Sequence, residues 1–212
     1  MALQQPSYPV QFSVDYPDRP LNRLTTAFRI LVAIPIMIVL SSVSGGAWQT
    51  SYGENATVVA AGAGGPLFLG PLLMILFRRK YPRWWFDWNL ELQRFTNRVG
   101  IYIALMDDQY PATDQPQAVH LDYAYPDAAR DLNRWLPLVK WFLAIPHYIL
   151  LVFLWIAAIV VVIIAWFAVL FTGRYPRGMF DFLQGVMRWS TRVIAYAFVL
   201  VTDRYPPFSL AP

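Results

Sequence analysis

The sequence contains no cysteine and little charge. Without cysteine there are no disulfides, no thiolate metal ligands and no cysteine nucleophile. Charged residues make up 14% of the chain, against about a quarter in an ordinary soluble domain. Residues 1–20 lack the basic start and apolar core of a secretory signal peptide. Apolar side chains, at 57%, are in excess, so the composition predicts a membrane protein whose first membrane helix directs insertion.

Long uncharged runs predict the membrane spans. Residues 30–48 and 56–77 carry no charge, and each run can cross about 30 Å of hydrocarbon. Arg29 precedes the first run, where we expect its side chain to reach the headgroups. A third run, residues 141–172, would be about 48 Å long as one helix. We therefore expect a tight hairpin of two helices that turns near Trp155–Ala158, with a re-entrant hairpin as the alternative.

Two similar segments follow the predicted spans, YPRWWFDWNLELQRFTNR at 81–98 and YPRGMFDFLQGVMRWSTR at 175–192. On a helix, the polar residues of each segment form one narrow stripe among apolar side chains, which is typical of a helix lying in a membrane surface. The stripe predicts either a lipid or phosphate site or, as we favour, ion pairs that neutralise the polar face. The candidate ligands are Arg83, Arg94, Arg98, Arg177, Arg188 and Arg192, with Asp87 and Asp181 as orienting acids.

Further motifs recur in the two halves. VQFSVDYPD at 10–18 matches VHLDYAYPD at 119–127, and their alternating patterns predict a short strand in each half. Fixed spacing also relates the two LNR and the two AIP triplets. We therefore predict a tandem duplication of strand, transmembrane hairpin and amphipathic interfacial helix. The fold class would be an all-α polytopic membrane protein with four transmembrane helices and short β segments at the cytoplasmic face.

Under this interpretation the first repeat covers residues 1–110 and the second covers residues 125–212. Residues 111–124 form the linker and the start of the second strand. The tips of the predicted hairpins carry no basic residue, so the positive-inside rule places both termini in the cytoplasm. In the alternative topology each striped helix crosses the membrane as a further span, which would bury its charges at about 2.5–3.5 kcal/mol each.

Few residues offer chemistry. His147 lies inside a predicted span, and a lone membrane histidine can relay protons or bind a metal. Because the sequence supplies no second ligand at suitable spacing, we expect a hydrogen-bonded structural role for His147. We find no nucleophile–base pair, no paired acids and no metal-ligand cluster, and so expect no catalytic residue, metal or cofactor. The linker is acidic, which argues against nucleic acid as a partner.

Three motifs resemble a family of prokaryotic membrane proteins known as domain of unknown function 4389. They are YPDRPLNR with AIP downstream, FTGRYPRGMFDFLQGVMRW at 171–189 and TDRYPPFSL at 202–210. In the first half, RRKYPRWWFDW replaces the Phe-Thr-Gly and the later Gly, so this half resembles a diverged copy. The resemblance implies a polytopic protein of the prokaryotic plasma (inner) membrane and supplies no activity.

We expect a non-enzymatic integral membrane protein that acts as a scaffold, as an accessory subunit of a membrane complex or as a lipid-organising protein. Its partners would be membrane lipids, anionic ones among them, and another membrane protein or a second copy of the chain. A transporter or channel formed by the two repeats is one alternative. A membrane-embedded lipid-modifying enzyme that uses Asp181 with Arg188 and Arg192 is another.

Overall fold

The computed structural model describes residues 8–44, 47–49, 58–60, 69–113 and 115–212. Helices dominate these ranges, and two antiparallel strand pairs accompany them. The elements in chain order are β1 (Val10–Val14), α1 (Arg23–Ala27), α2 (Arg29–Ser44), β2 (Ala47–Gln49), β3 (Val58–Ala60), α3 (Leu69–Leu73), α4 (Arg83–Ile103), β4 (Val119–Tyr123), α5 (Lys140–Leu143), α6 (Ile145–Thr172) and α7 (Arg177–Ile194). Two π-helical turns, Met74–Arg78 and Ala195–Val199, follow α3 and α7.

The two predicted strands are present, and they pair with each other. β1 and β4 run antiparallel, with Val10 opposite Tyr123 and Val14 opposite Val119. In both strands alternate residues are buried and the others are exposed, which gives one core face and one solvent face. The sheet therefore takes one strand from each half of the chain.

Each strand also packs against a helix from the other half. β1 contacts α7, while β4 contacts α4. The hydroxyl of Tyr16, just after β1, donates a hydrogen bond to the carbonyl of Tyr175, which precedes α7. The hydroxyl of Tyr125, just after β4, donates to the carbonyl of Tyr81, which precedes α4, at 2.7 Å. The halves are thus interleaved, since each helix is covered by a strand that the other half supplies.

The hairpin expected within residues 141–172 is wrong. α6 is one continuous helix of 28 residues, about 42 Å long. Pro146 stands in its first turn, where proline is tolerated, and Gly173 ends it in a left-handed conformation with φ of 72°. In the described ranges α6 is the one helix long and apolar enough to cross a membrane. Only 17% of its most apolar 18-residue window is buried.

The four-helix transmembrane prediction is therefore also wrong. The first predicted span, residues 30–48, is interrupted, because α2 ends at Ser44 after 16 residues, or about 24 Å. The second, residues 56–77, lies partly outside the described residues, and its described parts form β3, α3 and a π-helical turn. A multi-pass topology with cytoplasmic termini is accordingly not supported.

The interfacial position expected for the two striped helices is wrong as well. α4 contacts both β4 and α2, and α7 contacts both β1 and α6. Trp85 of α4 and Phe180 of α7 are each 1% exposed, and Arg98, Arg188 and Arg192 are buried. The buried arginines of the stripe therefore face other parts of the protein, whereas its acids are exposed. α4 and α7 thus lie between the paired strands on one side and the apolar helices α2 and α6 on the other.

Candidate functional site

The stripe arginines donate hydrogen bonds to main-chain carbonyls of the sheet. Arg94 Nε lies 2.9 Å from the carbonyl oxygen of Leu121 in β4. Arg188 Nε lies 3.0 Å from that of Phe12 in β1. Phe12 and Leu121 are directly opposite each other in the sheet. Two equivalent arginines thus hold two paired residues, each from the other half of the chain.

The next arginine of each stripe binds the segment that follows its helix. Arg98 Nη1 donates to the carbonyl oxygens of Ala112 at 2.9 Å and Thr113 at 3.3 Å. Arg192 Nη1 donates to that of Ala211 at 3.0 Å. Residues 205–212, here called the C-terminal tail, are therefore tied to α7 as residues 112–113 are tied to α4.

Arg188 binds the C-terminal tail too, through Nη1 and the carbonyl oxygen of Leu210 at 2.8 Å. The tail approaches α7 closely at Gly185, where an added Cβ would lie 2.8 Å from the Leu210 Cβ. Burial lowers the pKa of Arg188, and burial together with the nearby Arg188 charge lowers the pKa of Arg192. Desolvation thus disfavours both charges, and charge-assisted hydrogen bonds to carbonyls offset this cost.

The acids of the stripe lie at the surface. Arg83 and Asp87 form an exposed i,i+4 ion pair at 3.2 Å, and Arg94 pairs with Glu91 at 2.6 Å. Asp181 is exposed, and no hydrogen bond or ion pair joins it to Arg188 or Arg192 within the described ranges. Ion pairing within the stripe is therefore present in α4 at i,i+4 and i,i+3 spacing, and the i,i+7 pairs that we also expected are not found among the described residues.

The first residues of α4 and α7 are arginines, and each lies over the ring of a tyrosine that follows the strand packed on that helix. The Arg83 guanidinium carbon is 4.7 Å from the ring centre of Tyr125, and that of Arg177 is 3.9 Å from Tyr16. Each of these cation–π contacts therefore joins a helix of one half to a tyrosine of the other half. Binding of lipid or phosphate by any of the six arginines stays a prediction.

A polar groove of about 530 Å³ lies between α4 and the exposed face of the sheet. Both signs of charge line it, since Arg94 and Arg98 face it together with Glu91 and Asp122. At its edge His120 Nε2 lies 2.8 Å from a carboxylate oxygen of Asp15. The mixed charges suit a polar partner surface better than an isolated anion.

Arg29 is buried, so the expected reach of its side chain to headgroups at a helix edge is wrong. It is 2% exposed, and its guanidinium carbon lies 4.1 Å from the ring centre of Tyr102. Its Nη1 donates to the carbonyl oxygen of Asp107 at 3.1 Å. Arg29 also lines an apolar groove of about 360 Å³ that is bounded by α1, α2, α6 and the end of α4.

Lys140 occupies the corresponding place in the second half. It is fully buried, with Nζ 2.7 Å from the carbonyl oxygen of Thr202 and 2.7 Å from a carboxylate oxygen of Asp203. Its ammonium lies 5.1 Å from the ring centre of Tyr196. Burial lowers the pKa of Lys140, and the hydrogen bond and charge of Asp203 act in the opposite direction.

His147 makes a structural contact inside α6, in line with the hydrogen-bonded role expected from sequence. Trp189 Nε1 donates to His147 Nδ1 at 3.0 Å, and the imidazole stacks on Phe208 at 4.1 Å between ring centres. The contact fixes α6 against α7 and the C-terminal tail. Among described residues no group of three His, Asp or Glu side chains could hold a metal ion.

Sequence reasoning missed two features of this region. The strand carbonyls that accept from Arg94 and Arg188 carry no sequence signal, because every residue has a carbonyl. The groove beside Arg29 depends on how α6 lies against the end of α4, which periodicity does not reveal. The one sequence signal for the region around Arg29 was that Arg29 and Lys140 occupy matched positions in the two halves.

Comparison with curated proteins and with solved structures yields no significant match to the chain. A family model matches the second half alone, so the two-copy interpretation and the repeat boundaries stay predictions. The matched segment includes α6, α7 and most of the C-terminal tail, and thus Lys140, His147 and Arg188. Residues 135–209 match the model of the family described as a domain of unknown function (DUF4389), which confirms the resemblance drawn from the motifs of the second half.

Proposed function

We propose that this protein is a non-enzymatic scaffold embedded in the membrane through α6. In this proposal the paired strands and the groove beside them form a polar layer outside the lipid, where a protein partner or lipid headgroups bind. The observation that carries the proposal is the exposure of α6, whose most apolar window is only 17% buried. A core helix of a soluble protein would be mostly buried instead.

The exposed side chains of α6 are large and apolar. Val152, Phe153 and Ile156 are 57%, 65% and 56% exposed. Complete burial of such a side chain is worth about 1.5–3 kcal/mol, so a row of them in water would be costly. Contact with lipid acyl chains removes this cost without requiring a protein partner along the whole helix. Apolar residues of α2 and α5 extend the exposed surface.

The scaffold role is supported by how the polar residues are used. The buried stripe arginines bind carbonyls of the strands and of the segments after the helices, which is a structural task. The accessible polar groups lie on the sheet face and in the 530 Å³ groove, where charges of both signs suit recognition of a polar surface. This distribution favours binding over chemistry.

We further infer that the two halves arose by duplication. The support comes from equivalent contacts. Arg94 and Arg188 donate to paired strand carbonyls, and the hydroxyls of Tyr16 and Tyr125 donate to the carbonyls of the tyrosines that precede the opposite helices. The interleaving of strands would follow if two copies of an ancestral unit had first associated across a two-fold axis.

Membrane fractionation tests the proposed embedding. We expect the wild-type protein to stay in the membrane pellet after alkaline carbonate extraction. The variant Val152→Lys/Ile156→Lys places two charges on the lipid-facing side of α6, each costing up to about 2.5–3.5 kcal/mol, and should be lost from the pellet. Gln11→Lys, on the exposed face of the sheet, is the matched control and should behave like wild type.

Two results would contradict the proposal. Release of the wild-type protein by carbonate would show that α6 is not embedded. Turnover of a lipid substrate by the purified protein would show that the protein is an enzyme. Chemical cross-linking in native membranes, followed by mass spectrometry, should in turn identify a stoichiometric partner at the polar layer.

A further inference from the structure

The guanidinium of Arg29 has more donors than acceptors. Its Nη1 binds the Asp107 carbonyl, but Nε and Nη2 have no hydrogen-bond partner in the described part of the chain, although both are buried. A buried donor without an acceptor destabilises the fold, and more so when it is charged. The ring of Tyr102 offsets part of this cost through its face. The Tyr102 side chain and the charges of Asp107 and Asp108 also favour the cation, but no carbonyl or carboxylate of the described residues accepts a hydrogen bond from Nε or Nη2.

The equivalent cation in the second half is satisfied from within. Lys140 binds a carbonyl and a carboxylate, both at 2.7 Å. At Arg29 the nearby carboxylates are occupied otherwise, because Arg19 forms ion pairs with both Asp107 and Asp108. The difference between these two matched positions is specific to the Arg29 site, and it lies where the apolar groove is found.

The groove has the composition of a site for a hydrocarbon chain. Among the described residues that line it, Arg29 carries the only charge, and its apolar walls come mainly from Ile103 and from α6. Its volume of about 360 Å³ falls within the range of small-molecule sites. A neighbouring apolar groove of about 350 Å³ shares Ile103, Val162 and Ile163 with it, so the two adjoin along α6.

We propose that this groove binds one glycerophospholipid, with an acyl chain along α6 and a phosphate oxygen on Nε and Nη2 of Arg29. The inference rests on the proposed function, because an embedded α6 exposes the groove to lipid. Arginine suits this acceptor, since two parallel N–H groups match the geometry of a phosphate. The carboxylates of Asp107 and Asp108 offset the local positive charge, so recognition centres on the phosphate and not on a net anionic headgroup.

Retention of defined lipids tests the site. The full-length protein is delipidated in detergent and then titrated separately with dioleoylphosphatidylglycerol, dioleoylphosphatidylcholine and dioleoylglycerol. Native mass spectrometry counts the lipids that stay bound. We expect wild type to retain one molecule of either phospholipid and to bind dioleoylglycerol, which lacks phosphate, about tenfold more weakly or worse.

Two variants attack the two parts of the site separately. Arg29→Gln removes the guanidinium, and Ile163→Trp fills the groove while leaving Arg29 in place. Each should weaken phospholipid retention about tenfold or more. The matched controls are Arg130→Gln, at an exposed position between β4 and α5, and Ile149→Trp, at an exposed α6 position outside both grooves. Both controls should retain lipid like wild type.

The inference is overturned if wild type retains no phospholipid, or if Ile163→Trp and its control Ile149→Trp retain equal amounts. Equal binding of dioleoylglycerol would overturn the role of the phosphate. Should Arg29→Gln fail to fold, Ile163→Trp still decides, because it replaces one exposed apolar side chain by another. Carbonate extraction separates this failure from that of the proposed function: a protein that stays in the pellet but binds no phospholipid contradicts the lipid site alone.

Discussion

Replacing Arg188 by leucine measures how much the arginine stripe contributes to the fold. Arg188 is 7% exposed and donates to the carbonyl oxygens of Phe12 and Leu210 at 3.0 and 2.8 Å. Hydrogen bonds to charged groups contribute about 1.5–3 kcal/mol each, which gives about 3–6 kcal/mol for the pair. Leucine also removes a charge that burial disfavours, so we expect a net loss of about 2–4 kcal/mol.

Arg94→Leu is the matched control. Arg94 makes the equivalent bond to Leu121, but 29% of its side chain is exposed and its second bond goes to the surface residue Glu91. Since water can replace much of what is lost, we expect about 1 kcal/mol. Equilibrium unfolding in detergent, followed by tryptophan fluorescence, gives both free energies. Arg188→Lys should fall between wild type and Arg188→Leu, because one ammonium cannot reproduce the fork of two donors.

A structural role for Arg188 would be contradicted if Arg188→Leu lowered the free energy of unfolding no more than Arg94→Leu. A second refuting result is an unchanged free energy of unfolding together with weaker phospholipid binding. That combination would mean that Arg188 serves a lipid phosphate, the alternative that its stripe position also predicts. The two measurements on one variant therefore separate a structural arginine from a ligand-binding one.

Two further predictions concern backbone strain and pH. Arg79 ends its π-helical turn with φ of 50°, and the matching position in the second half is Gly173 with φ of 72°. Because a side chain is strained in this left-handed conformation, Arg79→Gly should stabilise the protein by about 1 kcal/mol in thermal unfolding. Gly173→Ala should destabilise it by about the same amount. Burial raises the pKa of Tyr123 well above its ordinary 10.0, so the folded state keeps a proton that the unfolded state loses above about pH 10. Stability should therefore fall as pH rises beyond that value, by up to about 1.4 kcal/mol per pH unit for each such tyrosine, and Tyr123→Phe should reduce this slope in alkaline denaturation.

The strands and their faces were predictable because they depend on local alternation. Val10, Phe12 and Val14 are buried, and Gln11 and Ser13 are exposed, as a period of two requires. Which strands pair was not predictable, because alternation fixes the two faces of a strand but not its neighbour in the sheet. In the structure each strand pairs with the other strand and packs on a helix of the other half, and these contacts join residues far apart in sequence.

The hairpin predicted within residues 141–172 was wrong because the prediction assumed symmetry between the two halves. A run of 32 uncharged residues looked too long for one span, and the first half suggested a hairpin. The local signals favoured one helix, since neither glycine nor proline interrupts residues 147–172 and Gly173 ends the run. Helix signals within a segment were thus more informative than the analogy with its partner.

A small insertion shows how far the correspondence between halves extends. Leu105 follows Arg94 by 11 positions and Leu200 follows Arg188 by 12, yet both leucines have φ of 63°. The extra residue is absorbed by the π-helical turn Ala195–Val199, which is the usual form of a one-residue insertion in a helix. Sequence alignment alone could place this insertion, but not the conformation that accommodates it.

The interleaved strands connect the proposed membrane helix to the polar layer. β1 belongs to the first half but is held by Arg188 of α7, which packs on α6; β4 belongs to the second half but is held by Arg94 of α4. Contacts therefore run from α6 through α7 to β1, and from β1 to β4 through the sheet. The polar groove is lined by residues of β1, β4 and α4, so it lies at the far end of these contacts from α6. A lipid bound beside Arg29 would contact α6 and the end of α4, and would thus lie at the other end of these contacts from the polar groove.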